Sequence, residues 1–231
     1  MNKSKGKIIV FEGVDSSGKA TQAKLLQNYF NSLNVSSELI SFPRYHEFFG
    51  GLCGQYLQGK FGGRKELPPE VYCLLLSLDR YHMKNQIQEI IDSGKNIIFD
   101  RYIQSNYGFQ PANFSDEKQQ NEFLLWVKNL ESRMPKEDLI FFLNADIQVV
   151  NKLMDSRENA KHSEIKKDIN EKDLAFLERV KKVYLKLARE EPNWIVIDCV
   201  KQENNQLVMR SREEIHKEVV SKLKQRFPDL F

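Results

Sequence analysis

The chain has 231 residues, of which 41% are hydrophobic and 29% are charged, values that are ordinary for a soluble globular protein. Its net charge of +3 is too small to argue for nucleic-acid binding, and its three widely spaced cysteines argue against a disulfide framework or a zinc site. No apolar run approaches the roughly 18 residues that a membrane span requires, so the sequence predicts a cytoplasmic enzyme or binding protein without nucleic-acid or membrane partners.

Short apolar runs alternate with longer helical patterns along the chain. The predicted strands are Lys7–Phe11, Ser37–Phe42, Asn96–Asp100, Leu139–Leu143 and Trp194–Asp198. The predicted helices are Ala20–Leu33, Pro69–Asp92, Asp116–Leu130, Ile147–Arg157, Glu171–Arg189 and one that begins at a capping box of Ser211 and Glu214. Because the strands are apolar on both faces, this order predicts a doubly wound α/β fold. It would form one domain, residues 1–231, around a five-stranded parallel sheet with helices on both faces and ligands at the carboxyl ends of the strands.

The first predicted strand runs directly into a glycine-bounded turn, a lysine and a helix. Gly13 and Gly18 permit a tight turn whose backbone N–H groups can point at one anion, and the helix adds its positive end. Lys19 adds a mobile charge that can follow a transferred phosphate. This order matches a phosphate-binding loop, and the flanking strand and helix argue against a chance glycine turn. Ala20 stands where Ser or Thr usually helps to hold magnesium, and Thr21 follows it.

The second and third predicted strands end in arginines, Arg44 and Arg101. Asp100, at the tip of the third strand, is placed to hold magnesium directly or through water. Arg101 adds a planar charged fork that can bridge two phosphate groups. Either arginine could by itself be an ordinary surface residue. Since Lys19 also follows a strand tip, the cleft would collect enough positive charge for two anionic partners, a triphosphate donor and a second phosphate-bearing molecule.

The segment after the second strand offers Arg44 and no carboxylate that could accept a proton from a sugar hydroxyl. A phosphate monoester loses its second proton with a pKa of about 6, so at neutral pH it is already a nucleophile. It needs its charge shielded, which arginines and magnesium can do. These residues therefore favour transfer between two phosphate groups over phosphorylation of a hydroxyl.

Two further segments allow more than one interpretation. Arg80 interrupts a strongly apolar helix, so it is either paired with Asp79 or another acid, or contacts a ligand. Residues 157–170 form a long polar stretch of mixed charge between two helices, which fits a solvated loop or a closing lid equally well.

Together these segments resemble the thymidylate kinase family of phosphate-loop nucleoside monophosphate kinases. The matching segments are Phe11–Lys19, Phe42–Tyr45, Leu78–Arg80 and Asp100–Asn106, and the resemblance runs from about Lys7 to about Asp198. It implies the P-loop NTPase fold with a short lid over about residues 157–170. It also implies transfer of the γ-phosphate of ATP to dTMP, with Mg²⁺, to give dTDP for dTTP synthesis.

The resemblance also assigns roles to individual residues. Lys19 would bind the donor phosphates, Asp15 would lie near the acceptor 3′-hydroxyl and the metal, and Asp100 would be a second metal ligand. The donor side would comprise Gly13, Ser16, Ser17, Gly18, Lys19, Ala20 and Thr21. The acceptor side would comprise Asp15, Phe42, Arg44, Tyr45, Leu76, Arg80, Arg101, Ser105, Asn106, Phe109 and Gln110.

Within that acceptor set, Arg44 and Arg101 would grip the acceptor phosphate, and Arg101 would also steady the transferred group. Arg80 would hydrogen-bond the thymine carbonyl, and Asn106, with Gln110, would read the base edge. Phe109 would crowd out a ribose 2′-hydroxyl. Family members are commonly homodimers. The helix containing Val71, Tyr72, Leu74 and Leu75 could serve such an interface, and core packing explains the same pattern.

Three residues depart from the family pattern. Ser16 stands where some members carry an arginine, so the lid would supply the catalytic charge from Arg157, Lys161, Lys166 or Lys167. Leu76 stands where a phenylalanine usually stacks on thymine, which leaves a kinase for another nucleoside monophosphate as an alternative. Ala20 removes a hydroxyl that Thr21, or water-mediated contacts of the metal with Asp15 and Asp100, would replace. A nucleotide-binding regulatory protein without turnover is the remaining alternative.

Overall fold

The computed structural model describes residues 5–62, 66–158 and 170–231, and describes side chains for all of these except residues 156–158. Its centre is a five-stranded parallel sheet in the order β2-β3-β1-β4-β5. The strands are β1 (Ile8–Glu12), β2 (Ser37–Ser41), β3 (Asn96–Asp100), β4 (Leu139–Asn144) and β5 (Trp194–Asp198). The predicted doubly wound α/β fold is confirmed, and each predicted strand boundary lies within one residue of the observed one.

Helices flank this sheet. They are α1 (Lys19–Ser32), α2 (Phe48–Leu57), α3 (Pro69–Asp92), α4 (Ile103–Phe109), α5 (Glu117–Leu130), α6 (Ile147–Glu158), α7 (Leu174–Glu190) and α8 (Arg212–Arg226). The capping box predicted at Ser211 is present, with Glu214 as its second member. None of the helices in the described ranges combines the length and the apolar character that crossing a membrane requires.

The sequence missed α2, α4 and a hairpin formed by β6 (Val200–Glu203) and β7 (Gln206–Met209). The glycines of α2 are typical of a loop, which hid the helix. Gly50 is required there, because a Cβ atom would lie 2.0 Å from the carbonyl oxygen of Arg44. All seven residues of α4 are buried, so this helix has no polar face to produce an amphipathic pattern.

Burial of the strands depends on their place in the sheet. The central strands β1, β3 and β4 are buried along nearly their whole length, as the prediction of two apolar faces requires. The edge strands β2 and β5 are partly exposed, so that prediction is wrong for them. Since β2, β3 and β1 are neighbours, the segments that follow them lie side by side at one edge of the sheet.

Candidate active site

The loop between β1 and α1 has a backbone conformation that depends on glycine. Gly13 has a φ of 149° and Gly18 a φ of 98°. A Cβ atom on Gly13 would lie 2.7 Å from Ser17 Oγ and 2.9 Å from the carbonyl oxygen of Leu143, so a larger residue would clash. Within the described ranges, Ser17 Oγ is buried and has no hydrogen-bond partner. The loop therefore encloses a polar concavity of the kind that binds phosphate.

Three charged side chains converge at this loop. Lys19 Nζ donates to the carbonyl oxygen of Val14 at 2.7 Å and lies 3.8 Å from the Asp15 carboxylate. Arg101 forms an ion pair with Asp15 and donates from Nη1 to the carbonyl oxygen of Gly13 at 3.1 Å. The loop and the tip of β3 are thus joined by one network of charges.

The network changes the pKa values of its members. Burial, with the charge of Arg101 acting in the same direction, lowers the pKa of Lys19 to about 8. Burial alone would raise the pKa of Asp15, but Arg101 and Lys19 together hold it below its ordinary value. Asp15 is therefore ionised at neutral pH, and Lys19 retains most of its charge.

Arg101 has an unusual backbone conformation for a residue with a long side chain. Its φ is +66°, in the left-handed region that favours glycine. Its N–H donates to the carbonyl oxygen of Phe11 at 3.1 Å, and its guanidinium carbon lies 5.2 Å from the centre of the Phe109 ring. Strain of this kind persists only where the surrounding contacts hold it, and it aims the guanidinium at the phosphate loop.

Glu12 helps to hold that conformation, a role that the sequence did not reveal. Its fully buried carboxylate accepts hydrogen bonds from the backbone N–H of Tyr102 at 2.9 Å, from Ser105 Oγ at 2.9 Å and from Tyr184 Oη at 2.8 Å. Burial raises the pKa of Glu12 against the opposing effects of these donors and of Arg101. The sequence signal for this role was the position of Glu12, a carboxylate at the end of an otherwise apolar strand.

Of the two predicted metal ligands, Asp15 belongs to this cluster, and Asp100 lies beside it. Asp100 follows Phe99 at the tip of β3, and both Asp100 and Asp15 act electrostatically to raise the pKa of Lys19. Their carboxylate oxygens suit Mg²⁺. Ala20 and Thr21 are exposed in the first turn of α1. In the described parts of the chain, no three His, Cys, Asp or Glu side chains could hold an ion by themselves. This donor set fits a metal held mainly by nucleotide oxygens and water.

An open, solvent-facing cavity adjoins the charge cluster. Nine of the residues predicted to contact the acceptor line it: Asp15, Phe42, Tyr45, Leu76, Arg80, Arg101, Ser105, Phe109 and Gln110. The sequence missed four others: Pro43, Leu57, Tyr72 and Asn170. Arg44 and Asn106 are not among the lining residues. This cavity lies beside the phosphate loop and is lined by cationic, polar and aromatic side chains, which suits a second phosphorylated molecule.

Arg44 is held by α3. Its Nε donates to Asp79 Oδ1 at 3.1 Å, its Nη2 donates to the carbonyl oxygen of Asp79 at 3.0 Å, and its backbone N–H donates to Asp79 Oδ2 at 2.8 Å. The Asp79 side chain is fully buried. The two strand-tip arginines therefore differ, since Arg101 lines the cavity, whereas Arg44 is paired with the buried Asp79.

Arg80 also lines the cavity and is paired with an acid, while its contact with a ligand stays a prediction. It is almost fully buried and forms an ion pair with Glu131. The predicted pairing with an acid is confirmed with Glu131 as the partner, because Asp79 pairs with Arg44. Burial alone would lower the pKa of Arg80, but the charge and hydrogen bond of Glu131 raise it above its ordinary value.

Two tyrosines form an aromatic wall next to Leu76. Tyr72, one turn earlier on α3, lines the cavity and stacks on Tyr56 with ring centres 4.0 Å apart and planes 10° apart. These three residues and Cys53 form a small apolar cluster separate from the main core. The spacing of four residues between Tyr72 and Leu76 was the available sequence signal.

Most of the predicted lid lies outside the residues that the structure describes. Lys161, Lys166 and Lys167 lie outside the described residues, and so does the side chain of Arg157. Asn170, at the end of the predicted lid, is buried and lines the cavity.

Comparisons with known proteins agree on one family. The family model described as thymidylate kinase matches residues 11–211. The chain is 28% identical to the thymidylate kinase of Plasmodium falciparum (isolate 3D7), over 96% of this chain and 91% of that protein. It is 32% identical to a probable thymidylate kinase of Methanocaldococcus jannaschii, over 94% and 95% of the two chains. The solved thymidylate kinase of Candida albicans superposes with a TM-score of 0.75 at 25% identity, covering 96% of this chain and 92% of that one.

Proposed function

The chain belongs to the thymidylate kinase family, and we propose that it phosphorylates dTMP through the charge cluster of Asp15, Lys19 and Arg101. The activity of that family, transfer of phosphate from ATP to dTMP to give dTDP, is the activity of this chain. The observation that carries the residue assignment is the position of Arg101, which bridges the phosphate loop and the acceptor cavity in a strained backbone conformation.

In the proposed reaction, an oxygen of the dTMP phosphate forms a bond to the γ-phosphorus of ATP. The bond from that phosphorus to the β,γ-bridging oxygen breaks, and ADP leaves with the electron pair. Lys19 and the loop N–H groups would hold the donor phosphates, and Arg101 would exchange part of its contact with Asp15 for the transferred group. Since the acceptor is already a dianion at neutral pH, no side chain needs to remove a proton.

We also propose that Mg²⁺ accompanies ATP, with Asp15 and Asp100 as the residues that reach it, directly or through water. When bound, the ion would draw negative charge from the donor phosphates. Asp15 would also keep Arg101 aimed at the loop, which their ion pair supports. The chain's own part in catalysis is thus to position two anions and to offset their repulsion.

At the base end, Arg80 would donate to a base carbonyl, because a guanidinium carries only donors. Phe109, which lies against Arg101, would leave little room for a ribose 2′-hydroxyl. Leu76 supports a second candidate, a kinase that also accepts other nucleoside monophosphates. The thymidylate kinase of Candida albicans, whose structure this chain resembles, is described as having broad substrate specificity.

We further propose a homodimer in the cytoplasm. Val71, Leu74 and Leu78 are exposed on one face of α3, at the spacing of neighbours on a helix. Tyr72, which the sequence grouped with this face, instead lines the cavity. The three cysteines are buried free thiols, which fits a reducing compartment. Sedimentation of the wild type and of Leu74→Glu would test the dimer, which we expect only in the wild type.

A coupled ADP assay with a panel of deoxy- and ribonucleoside monophosphates tests the acceptor. We expect dTMP to give the highest kcat/KM, followed by dUMP, which presents the same carbonyl. If the protein binds ATP but turns over neither, the proposed function is wrong. A higher value for a purine or cytidine nucleotide would support the broader kinase instead.

A further inference from the structure

Glu131 is a buried carboxylate that the proposed mechanism does not use. It follows the last residue of α5 as the C-terminal cap, and its side chain is fully buried between α5, α3 and α4. Its Oε1 accepts hydrogen bonds from Ser77 Oγ at 2.8 Å, from Asn106 Nδ2 at 2.8 Å and from Arg80 Nη2. Its Oε2 lies 3.5 Å from Arg80 Nε. Two helices, α3 and α4, thus place three donor side chains around one carboxylate.

The position of Glu131 is unfavourable on local grounds. The C-terminal end of a helix carries partial negative charge, which disfavours a carboxylate there. Removing that carboxylate from water adds a further cost. A residue that conflicts with its local environment in both respects often marks a functional requirement. Glu131 contacts Arg80, which lines the acceptor cavity, so the requirement concerns the acceptor cavity.

The contact with Glu131 uses one edge of the Arg80 guanidinium, formed by Nε and Nη2. Within the described residues, Nη1 makes no hydrogen bond, so it is the part of the group available to the cavity. Asp79, the nearest acid in sequence, cannot replace Glu131, because three hydrogen bonds hold it to Arg44. Glu131 therefore determines the direction in which Arg80 presents its remaining donors.

We propose that Glu131 is a positioning residue for base selection, acting by fixing Arg80 so that the cavity presents N–H donors to a base carbonyl. The inference rests on the proposed function and adds to it the residue that fixes the orientation of Arg80. Thymine and uracil have a carbonyl oxygen at position 4, which accepts from a guanidinium. Cytosine has an amino group there, whose hydrogens would face the donors of Arg80.

The test compares Glu131→Gln with the wild type, using the KM values for dTMP and ATP and the inhibition constant of dCMP against dTMP. The glutamine keeps the shape of the side chain but removes its charge, so Arg80 loses its fixed orientation. We expect the KM for dTMP to rise about 10- to 100-fold, the range for a weakened hydrogen bond to a charged group. The KM for ATP and the inhibition constant of dCMP should each change less than about 3-fold, because neither involves a base carbonyl at Arg80.

Glu191→Gln is the matched control. Glu191 pairs with Lys128 of α5 and accepts from Trp194 Nε1, but it does not contact Arg80. The Glu191→Gln variant should leave the KM for dTMP, the KM for ATP and the inhibition constant of dCMP near their wild-type values. If Glu131→Gln does not fold, Glu131→Asp is the variant that tests the inference. Its carboxylate keeps the charge, but the shorter side chain places that charge farther from Arg80. We expect Glu131→Asp to weaken dTMP binding selectively as well.

Two outcomes would overturn the inference. One is a folded Glu131 variant with an unchanged preference for dTMP over dCMP. The other is an equal loss for dTMP, dCMP and ATP, which would mean that Glu131 serves only the packing of the helices. Failure of the wild type to phosphorylate dTMP would instead refute the proposed function, so the two failures are distinguishable.

Discussion

The two ends of the acceptor cavity hold their charges in different ways. At the phosphate end, Asp15 and Arg101 follow strand tips, and positive φ angles at Gly13, Gly18 and Arg101 orient the groups around them. At the base end, Arg80 lies within a helix and is held by a side chain from another helix. Backbone conformation positions the first set, and side-chain pairing positions the second.

The ion pairs at the two ends also differ in burial. The Asp15 side chain keeps 29% of its surface exposed, whereas that of Glu131 keeps none. A partly exposed pair can exchange one partner for a phosphate at little cost, while a fully buried pair loses much of its stability when one partner is removed. We therefore expect changes at the phosphate end to alter rate and changes at the base end to alter selectivity.

The largest expected effect is that of Arg101→Ala. It removes the guanidinium that bridges the phosphate loop and the cavity, so kcat should fall about 10³-fold or more, the range for an arginine that stabilises a transferred phosphoryl group. ATP binding, which depends on Lys19 and the loop N–H groups, should change only a few-fold. The coupled ADP assay measures the first quantity, and calorimetric titration with ATP measures the second.

Arg189→Ala serves as the control for that variant, since Arg189 donates to the carbonyl oxygen of Leu185 on the surface of α7. It should keep wild-type turnover. Turnover of Arg101→Ala within tenfold of the wild type would mean that the phosphate end does not depend on this charge. The expectation that changes at the phosphate end alter the rate would then be wrong.

The same contrast explains what the sequence could and could not predict. At the phosphate end, the loop was readable because the residues from Gly13 to Lys19 are contiguous in sequence and their geometry depends on glycine, and Arg101 was readable because it directly follows a predicted strand. Arg80 was readable as a buried charge, but its partner Glu131 lies 51 residues away and depends on how α3 and α5 pack. Helix α4 was missed because burial on all sides leaves no periodic pattern. Tyr72 was grouped with its exposed neighbours on α3, although its spacing of four residues from Leu76 placed it on the cavity side.

The second prediction tests whether the backbone at Arg101 is held by Glu12. Glu12→Ala leaves the donors of Tyr102, Ser105 and Tyr184 buried without their acceptor. Unfolding should become easier by about 2–5 kcal/mol. Because Arg101 loses its anchor, kcat should also fall about 30-fold, a loss of the size expected from misplacement of a catalytic group. Chemical denaturation and the ADP assay measure these two effects.

Glu12→Gln separates packing from charge, since an amide retains most of those hydrogen bonds and should lose far less stability. Glu38→Ala is the surface control, because its exposed pair with Lys95 should contribute at most about 1 kcal/mol. An alanine variant at position 12 with the wild-type kcat would show that Arg101 needs no support from β1.

The third prediction concerns pH at the phosphate end. The pKa of Lys19 is lowered to about 8, so its ammonium is charged below that pH and neutral above it. The kcat/KM for ATP, which reflects the free enzyme, should therefore fall about tenfold per pH unit above pH 8. Lys19→Arg keeps its charge and should not show this decline, whatever its absolute activity. A wild-type profile that stays flat to pH 10 would contradict the assignment.

The smallest expected effect is at the base end, with Leu76→Phe. Adding a ring that can stack on the base should lower the KM for dTMP about 2- to 10-fold, the range for an aromatic pair, with little change in kcat. Leu76 packs in a small buried cluster, so the larger side chain could also crowd Tyr72 and cost stability. Thermal unfolding measured in parallel separates crowding from binding.

If the variant is as stable as the wild type and the KM does not fall, Tyr72 already provides the aromatic surface, and Tyr72→Leu should then raise the KM by a similar factor. That result would assign the aromatic contact with the base to Tyr72 and would show that a ring at position 76 is not needed.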